Sequence, residues 1–244
     1  MLKLGCIRPS KSPWASLPVL VDRPDGSKRF CVDYRALNAV TKMDAMPLPR
    51  IDDVLNALQG SKYFTCMDAN CGVWQLKLKE SDCEKTAFLT PDGQYEFVTL
   101  PFGAKTASGN FQRMMNSILA GMTSQGALCY IDDITLYSGT FEEDLELLGR
   151  VIARCRQAGL TIKLSKCHFF VSKVELLGQV THGRGVQPSP KMVQALLDIE
   201  LPKTVKQVRR HLGMTGWYRK FIRGYAAIAR PLTDLTKKEN KKNV

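Results

Sequence analysis

The sequence predicts an α+β fold in which an antiparallel sheet is backed by helices on one face. Three observations carry this. Short apolar runs recur between turn-forming residues, as in hairpins. Two stretches place apolar residues at helical spacing, the mark of a half-buried helix. The two kinds follow one another as strand, helix, hairpin, helix, strand, which lets one sheet carry both helices on a single face. With 244 residues, 44% of them hydrophobic, the chain can build one large domain or a few lobes with real cores.

The elements follow in order. Residues 17–21 and 29–32 are strands joined through Arg23-Pro24-Asp25-Gly26, a hairpin turn. Asp52-Asp53 precedes Val54, Leu55 and Leu58, a helix start where free amides and the dipole favour acids. Residues 63–67 read as a strand that ends at Asp68. Trp74, Leu76 and Leu78 alternate with Gln75, Lys77 and Lys79, which predicts another strand. Residues 86–90 and 95–100 flank Pro91-Asp92-Gly93, a second hairpin. Phe111, Met114, Met115, Ile118 and Leu119 form the core stripe of a helix that stops at Gly121. Leu145, Leu148, Ile152 and Cys155 predict a second helix ending at Gly159, and 160–171 returns to strand character.

Between the two helices lies Tyr130-Ile131-Asp132-Asp133, with apolar runs on both sides. Adjacent carboxylates between two buried strands are costly unless a cation neutralises them. A divalent metal with oxygen ligands is the simplest such cation. If the strand ending at Asp68 lies beside this hairpin, three carboxylates meet. They can then hold two Mg²⁺ about 3.5–4 Å apart, the arrangement suited to in-line phosphoryl transfer in nucleotide polymerases.

The net charge of +12 is unevenly spread. Residues 203–244 hold twelve Lys and Arg against Asp234 and Glu239, a net +10. A basic lobe on a near-neutral body suits a phosphate-backbone binder. Trp217-Tyr218-Arg219-Lys220-Phe221-Ile222-Arg223 interleaves rings with cations, as in a surface that packs on one side and holds phosphates on the other. None of the eight cysteines forms Cys-x-x-Cys, and the three histidines do not pair with them at zinc spacing. The expectation is a reduced, intracellular protein without structural zinc. No apolar run approaches the ~20 residues that span a bilayer, so no membrane partner is expected.

Many stretches together resemble the reverse transcriptase region of gypsy-type LTR retrotransposon Pol polyproteins. They include 7–16, Cys31-Val32-Asp33-Tyr34-Arg35-Ala36-Leu37-Asn38, Met46-Pro47-Leu48-Pro49-Arg50-Ile51-Asp52, Asp68-Ala69-Asn70, Gly72 and Trp74-Gln75. Further on come Glu84-Lys85-Thr86-Ala87-Phe88, Leu100-Pro101-Phe102-Gly103, Phe111-Gln112-Arg113, Tyr130-Ile131-Asp132-Asp133, Lys166-Cys167, Leu177-Gly178 and 218–222. The resemblance covers nearly the whole chain in order and spacing.

It implies a right-hand polymerase: fingers at 1–43 and 76–106, palm at 44–75 and 107–183, and a basic thumb leading into a connection at 184–244. It implies that Asp68, Asp132 and Asp133 bind two Mg²⁺, with Mn²⁺ as an alternative, and that Lys166 protonates pyrophosphate. Arg23, Arg29, Val73, Phe102 and Gly103 are expected at the incoming dNTP. Tyr130, Leu177, Gly178, Arg209, Arg210, Arg219 and Lys220 are expected at the DNA primer and the RNA or DNA template. The function implied is RNA-directed DNA polymerisation.

Three departures stand out. Val73 replaces the Phe or Tyr that presses on the sugar 2′-carbon, so freer use of ribonucleotides is expected. Cys71 and Ser108-Gly109 also depart from the family pattern. The start resembles the middle of a fingers segment, and no RNase H acidic cluster, protease motif or integrase zinc pattern is found. A fragment of a polyprotein is therefore expected, and the alternative function is an inactive remnant that only binds nucleic acid. A related RNA-dependent RNA polymerase is the third reading, kept alive by Val73 and opposed by the many gypsy-type stretches.

Overall fold

A computed structural model describes residues 1–22, 26–44, 46–70, 72–183 and 185–237. The predicted turn at Arg23 and the departure at Cys71 lie outside them. Contacts divide the chain into two units. One comprises Met1–Ala57 and Ser61–Ser172; the other comprises Leu58–Gly60 and the described part of Lys173–Val244.

The first unit runs β1 (Ile7–Pro9), β2 (Pro18–Asp22), β3 (Lys28–Val32), α1 (Arg35–Val40), α2 (Ile51–Ala57) and β4 (Tyr63–Asp68). It continues with α3 (Glu80–Cys83), β5 (Phe88–Thr90), β6 (Gly93–Phe97), α4 (Ala107–Ile118), β7 (Ala127–Tyr130), β8 (Asp133–Ser138), α5 (Phe141–Gln157) and β9 (His168–Val171). Its main sheet has the order β7-β8-β4-β9, antiparallel throughout. A second sheet, β1-β6-β5, and the antiparallel pair β2–β3 accompany it.

Alternation along the strands decides which face the helices cover. Met67, Ile134 and Leu136 join Phe111 and Met115 of α4 and Leu147 and Val151 of α5 in one buried core. Burying each large side chain contributes about 1.5–3 kcal/mol. Asp68, Asp133 and Cys66 alternate with these core residues and so lie on the other face. The Thr140–Glu143 capping box starts α5, a feature that stabilises a helix by about 1 kcal/mol.

The strands of both predicted hairpins pair as expected, and the α2 start at Asp52-Asp53 and the Met115 helix form. Three local expectations are corrected. Gly72–Gln75 is a 3₁₀ turn rather than a strand; only Lys77 beyond it makes a bridge, to Thr99. Alternation there reflects Trp74, Leu76 and Leu78 packing on the core from irregular backbone. On α5 the buried stripe is Leu147, Leu148, Val151 and Cys155, while Leu145 and Ile152 are exposed. Apolar residues lie on both sides of this helix, so the spacing alone left its rotation open. Within 160–171, Leu164–Lys166 is a 3₁₀ turn and only β9 is a strand.

The second unit holds β10 (Lys173–Leu176), β11 (Gln179–His182), β12 (Gly185–Pro188), α6 (Pro190–Leu197), α7 (Val205–Trp217) and α8 (Tyr225–Leu235). Its three strands form one antiparallel sheet. Thr204 caps α7 by accepting from the Gln207 amide at 3.2 Å. The hydroxyls of Thr215 and Tyr225 meet at 2.9 Å, tying α7 to α8. Among the described residues no helix is long and apolar enough to cross a membrane.

Candidate active site

The two-residue turn Ile131-Asp132 joins β7 to β8, with Tyr130 paired to Asp133. On the other side of β8, Asp133 pairs with Asp68, the last residue of β4. Partners across an antiparallel ladder point to the same face. Three carboxylates that are distant in sequence thus gather at one end of the central strands.

Their surroundings differ. Asp68 Oδ2 accepts from Lys166 Nζ at 2.8 Å. Lys166 reaches it because the Lys163 amide donates to the Asp68 carbonyl at 2.9 Å, fixing the turn that carries the lysine. Gln75 supports the same junction: its Nε2 donates to the carbonyls of Asn70 and Thr161, and its Oε1 accepts from the Thr161 amide at 2.7 Å. Asp132 Oδ1 is buried without a hydrogen-bond partner. Its carboxylate lies so close over Gly72 that a Cβ there would stand 2.5 Å from Oδ1. Burial, then Asp133 and Asp68, push the Asp132 carboxyl above the usual carboxylate range, against a lowering by Lys166. Asp133 is pushed the same way, by desolvation and then Asp68; its side chain is open to solvent, which screens the effect.

An orphaned acidic oxygen amid like charges is what a hard cation would satisfy. Among the described residues no three His, Cys, Asp or Glu are gathered tightly enough to cage a metal alone. Mg²⁺ is usually held by one or two carboxylates and takes its other ligands from water and substrate phosphates. The residues present therefore fit such an ion.

The remaining predicted site residues fall into two groups. In the first unit, Arg29 is exposed on β3, opposite Val21. Phe102 is exposed, with its ring 5.4 Å from that of Trp74. Gly103 has φ +89 and accepts from Asn38 Nδ2 at 2.8 Å. Val73 is buried within the core, and Tyr130 is half-buried at the end of β7. In the second unit, Leu177-Gly178 is the β10–β11 turn, with φ of 54 and 76. The Gly178 carbonyl accepts from the Ser189 amide at 3.1 Å. Arg209 and Arg210 are exposed on α7, and Arg219 and Lys220 on the turn after it. Arg23 lies outside the described residues. Sequence reasoning missed any role for Gln75 and Gln112; both were visible only as members of the matching stretches.

The profile of the family described as "Reverse transcriptase (RNA-dependent DNA polymerase)" matches residues 21–181. The "Retrovirus-related Pol polyprotein from transposon opus" of Drosophila melanogaster is 42% identical, over 97% of this chain and 24% of its own length. The corresponding polyprotein from transposon gypsy, of the same organism, is 37% identical, over 98% of this chain and 24% of its own length. The chain thus spans about a quarter of the length of these curated relatives. Among solved structures, a foamy viral protease-reverse transcriptase in complex with dsDNA superposes with a TM-score of 0.87 at 26% identity, over 96% of this chain and 49% of that one. The same kind of enzyme in complex with RNA/DNA hybrid gives 0.85 at 25% identity, over 96% and 32%. A further dsDNA complex gives 0.90 at 24% identity, over 99% and 44%, a likeness of fold.

Proposed function

The chain belongs to the reverse transcriptase family, and from that premise we propose that it is an RNA-directed DNA polymerase core. It would transfer a nucleotide from dNTP to a primer 3′-hydroxyl on an RNA or DNA template. The observation that carries the reading is the ladder register that sets Asp68 against Asp133 and puts Asp132, with its orphaned oxygen, in the adjoining turn.

Asp68 and Asp132 would hold two Mg²⁺, with Asp133 beside the primer end. When bound, the ions would neutralise the triphosphate and lower the pKa of the 3′-hydroxyl. Lys166 would donate a proton from Nζ to the departing pyrophosphate. Its contact with Asp68 would keep that ammonium beside the carboxylates during turnover. Arg29 would bind the triphosphate, since a guanidinium forks onto phosphate oxygens. Phe102, Gly103 and Val73 would shape the pocket for base and sugar. Tyr130 would contact the primer end. The exposed cations of the second unit, with the Leu177-Gly178 turn, would hold the primer–template duplex through its phosphates.

Primer extension with Mg²⁺ on RNA and DNA templates tests the reading, with Asp132→Asn as control. Extension by the wild type that is lost in Asp132→Asn supports it. Extension that survives the substitution overturns the metal assignment. Salt-sensitive duplex binding without any extension supports the inactive remnant instead.

A further inference from the structure

We propose that Gln112 is the positioning residue that locks the Ile131-Asp132 turn and so aims the Asp132 carboxylate; the catalytic consequence rests on the polymerase reading above. Ile131 has φ +56. A β-branched side chain is a genuine outlier there. Positive φ at the first of two turn residues, and not at the second, is the pattern of a type II′ hairpin turn, where glycine is usual. Something outside the hairpin must therefore impose the conformation.

Gln112 does so from α4. Its side chain is fully buried. Its Oε1 accepts from the Ile131 amide at 2.8 Å, and its Nε2 donates to the Cys129 carbonyl at 3.0 Å. The second Nε2 proton goes to Asn116 Oδ1 at 2.9 Å, which fixes the direction of the amide. One side chain thus spans the last turn of β7 and the strained residue. Two weaker ties complete the grip. The Cys129 thiol donates to the Ile131 carbonyl at 3.0 Å, and the Ala69 amide to the Asp132 carbonyl at 3.2 Å. Without Gln112, the Ile131 N–H and one carbonyl would be left buried and unpaired, and nothing on the α4 side would oppose relaxation of φ. The Asp132 carboxylate is the next group along the chain.

The test is a double-mutant cycle of Gln112→Met with Ile131→Gly, since glycine adopts positive φ without strain. Three readouts are taken: the denaturation midpoint, Mn²⁺ affinity by electron paramagnetic resonance, and kcat and KM in primer extension. Gln112→Met is expected to lower the midpoint, weaken Mn²⁺ binding several-fold, and cut kcat by about 10- to 100-fold with little change in KM. Adding Ile131→Gly should recover most of the Mn²⁺ affinity and kcat, a rescue that a packing role alone would not allow. Strictly additive effects on the midpoint and on Mn²⁺ binding would overturn the inference, whether or not the chain extends primers. Unchanged Mn²⁺ binding in Gln112→Met would overturn the aiming of Asp132. Should Gln112→Met not fold, Gln112→Asn, which keeps the amide but shortens its reach, takes its place in the cycle. Absence of extension by the wild type would sink the polymerase reading, and Mn²⁺ binding would still decide this one.

Discussion

Asp68 and Asp133 face each other directly across the β4–β8 ladder, two carboxylates on one side of a sheet. Lys166 pairs with the first; the second relies on solvent. Like charges directly opposite in a sheet are destabilising, on a scale of about 0.2–1 kcal/mol. Asp133→Asn removes the repulsion and keeps the shape. In metal-free buffer it is expected to raise Tm by about 1–4 °C while lowering primer extension. Differential scanning calorimetry beside an extension assay reads both, and a lower Tm for the variant would contradict the account.

Gly72 is required by proximity rather than by backbone conformation. It lies under the Asp132 carboxylate, and a methyl group there would press on Oδ1, Oδ2 and Cγ together. Gly72→Ala should displace the carboxylate, cut kcat by about 100-fold and leave duplex affinity unchanged. A variant with wild-type kcat would show that Asp132 yields without consequence.

The sequence made some of this legible and hid the rest for physical reasons. Pro91-Asp92-Gly93 announces its hairpin because turn chemistry is local. Met115 and Phe111 announce α4 because one stripe is apolar and the other is not. The Asp132-Asp133 pair is legible because adjacent like charges between apolar runs call for a counter-ion. The rotation of α5 is not, since Leu145 and Ile152 compete with Leu147 and Val151 for the core. Residues 74–78 misled because an irregular segment can alternate as a strand does. Gln112 was out of reach as a clamp: its hydrogen bonds to the turn are to backbone, and backbone partners carry no sequence signature.

Asp144 supplies a pH dependence away from the candidate site. It is fully buried on α5, and its Oδ2 accepts from Thr65 Oγ at 2.5 Å while Oδ1 has no partner. Burial raises its pKa from the usual 3.8, partly offset by hydrogen bonds from Thr65 and Ser138. A raised folded-state pKa means that its contribution is fully present below about pH 4 and is lost as pH rises through the folded value. Asp144→Asn keeps an acceptor for Thr65 and carries no charge. The variant should therefore gain stability over the wild type at pH 7 and lose that advantage near pH 4. Urea midpoints measured across that range would show a constant offset if the carboxyl were not desolvated.

Val73 stands where the family resemblance implies a ring, and its side chain is packed into the core. Val73→Phe must rearrange that packing, at about 1–3 kcal/mol. If the ring then reaches the sugar, selectivity for dNTP over rNTP should rise, by about 10- to 100-fold. Competitive incorporation by wild type and variant measures it. An unchanged ratio would remove Val73 from the pocket.

Lys166 has two candidate roles that one substitution separates. As a counter-charge it only needs to be cationic beside Asp68, at 2.8 Å. As a proton donor it must give up a proton during turnover. Arginine meets the first need and not the second, because its guanidinium does not deprotonate in proteins. Lys166 and Asp68 are both partly open to solvent, so the pair itself contributes little to stability, about 0–1 kcal/mol. Lys166→Arg should thus leave Tm nearly unchanged and lower single-turnover kcat by about 100-fold, within the usual range for loss of a general acid. Lys166→Met should fall at least as far and also weaken Mg²⁺ selectivity, since Asp68 would then face Asp133 without a cation. Full activity in Lys166→Arg would leave the lysine as a counter-charge alone, and the proton would have to come from water.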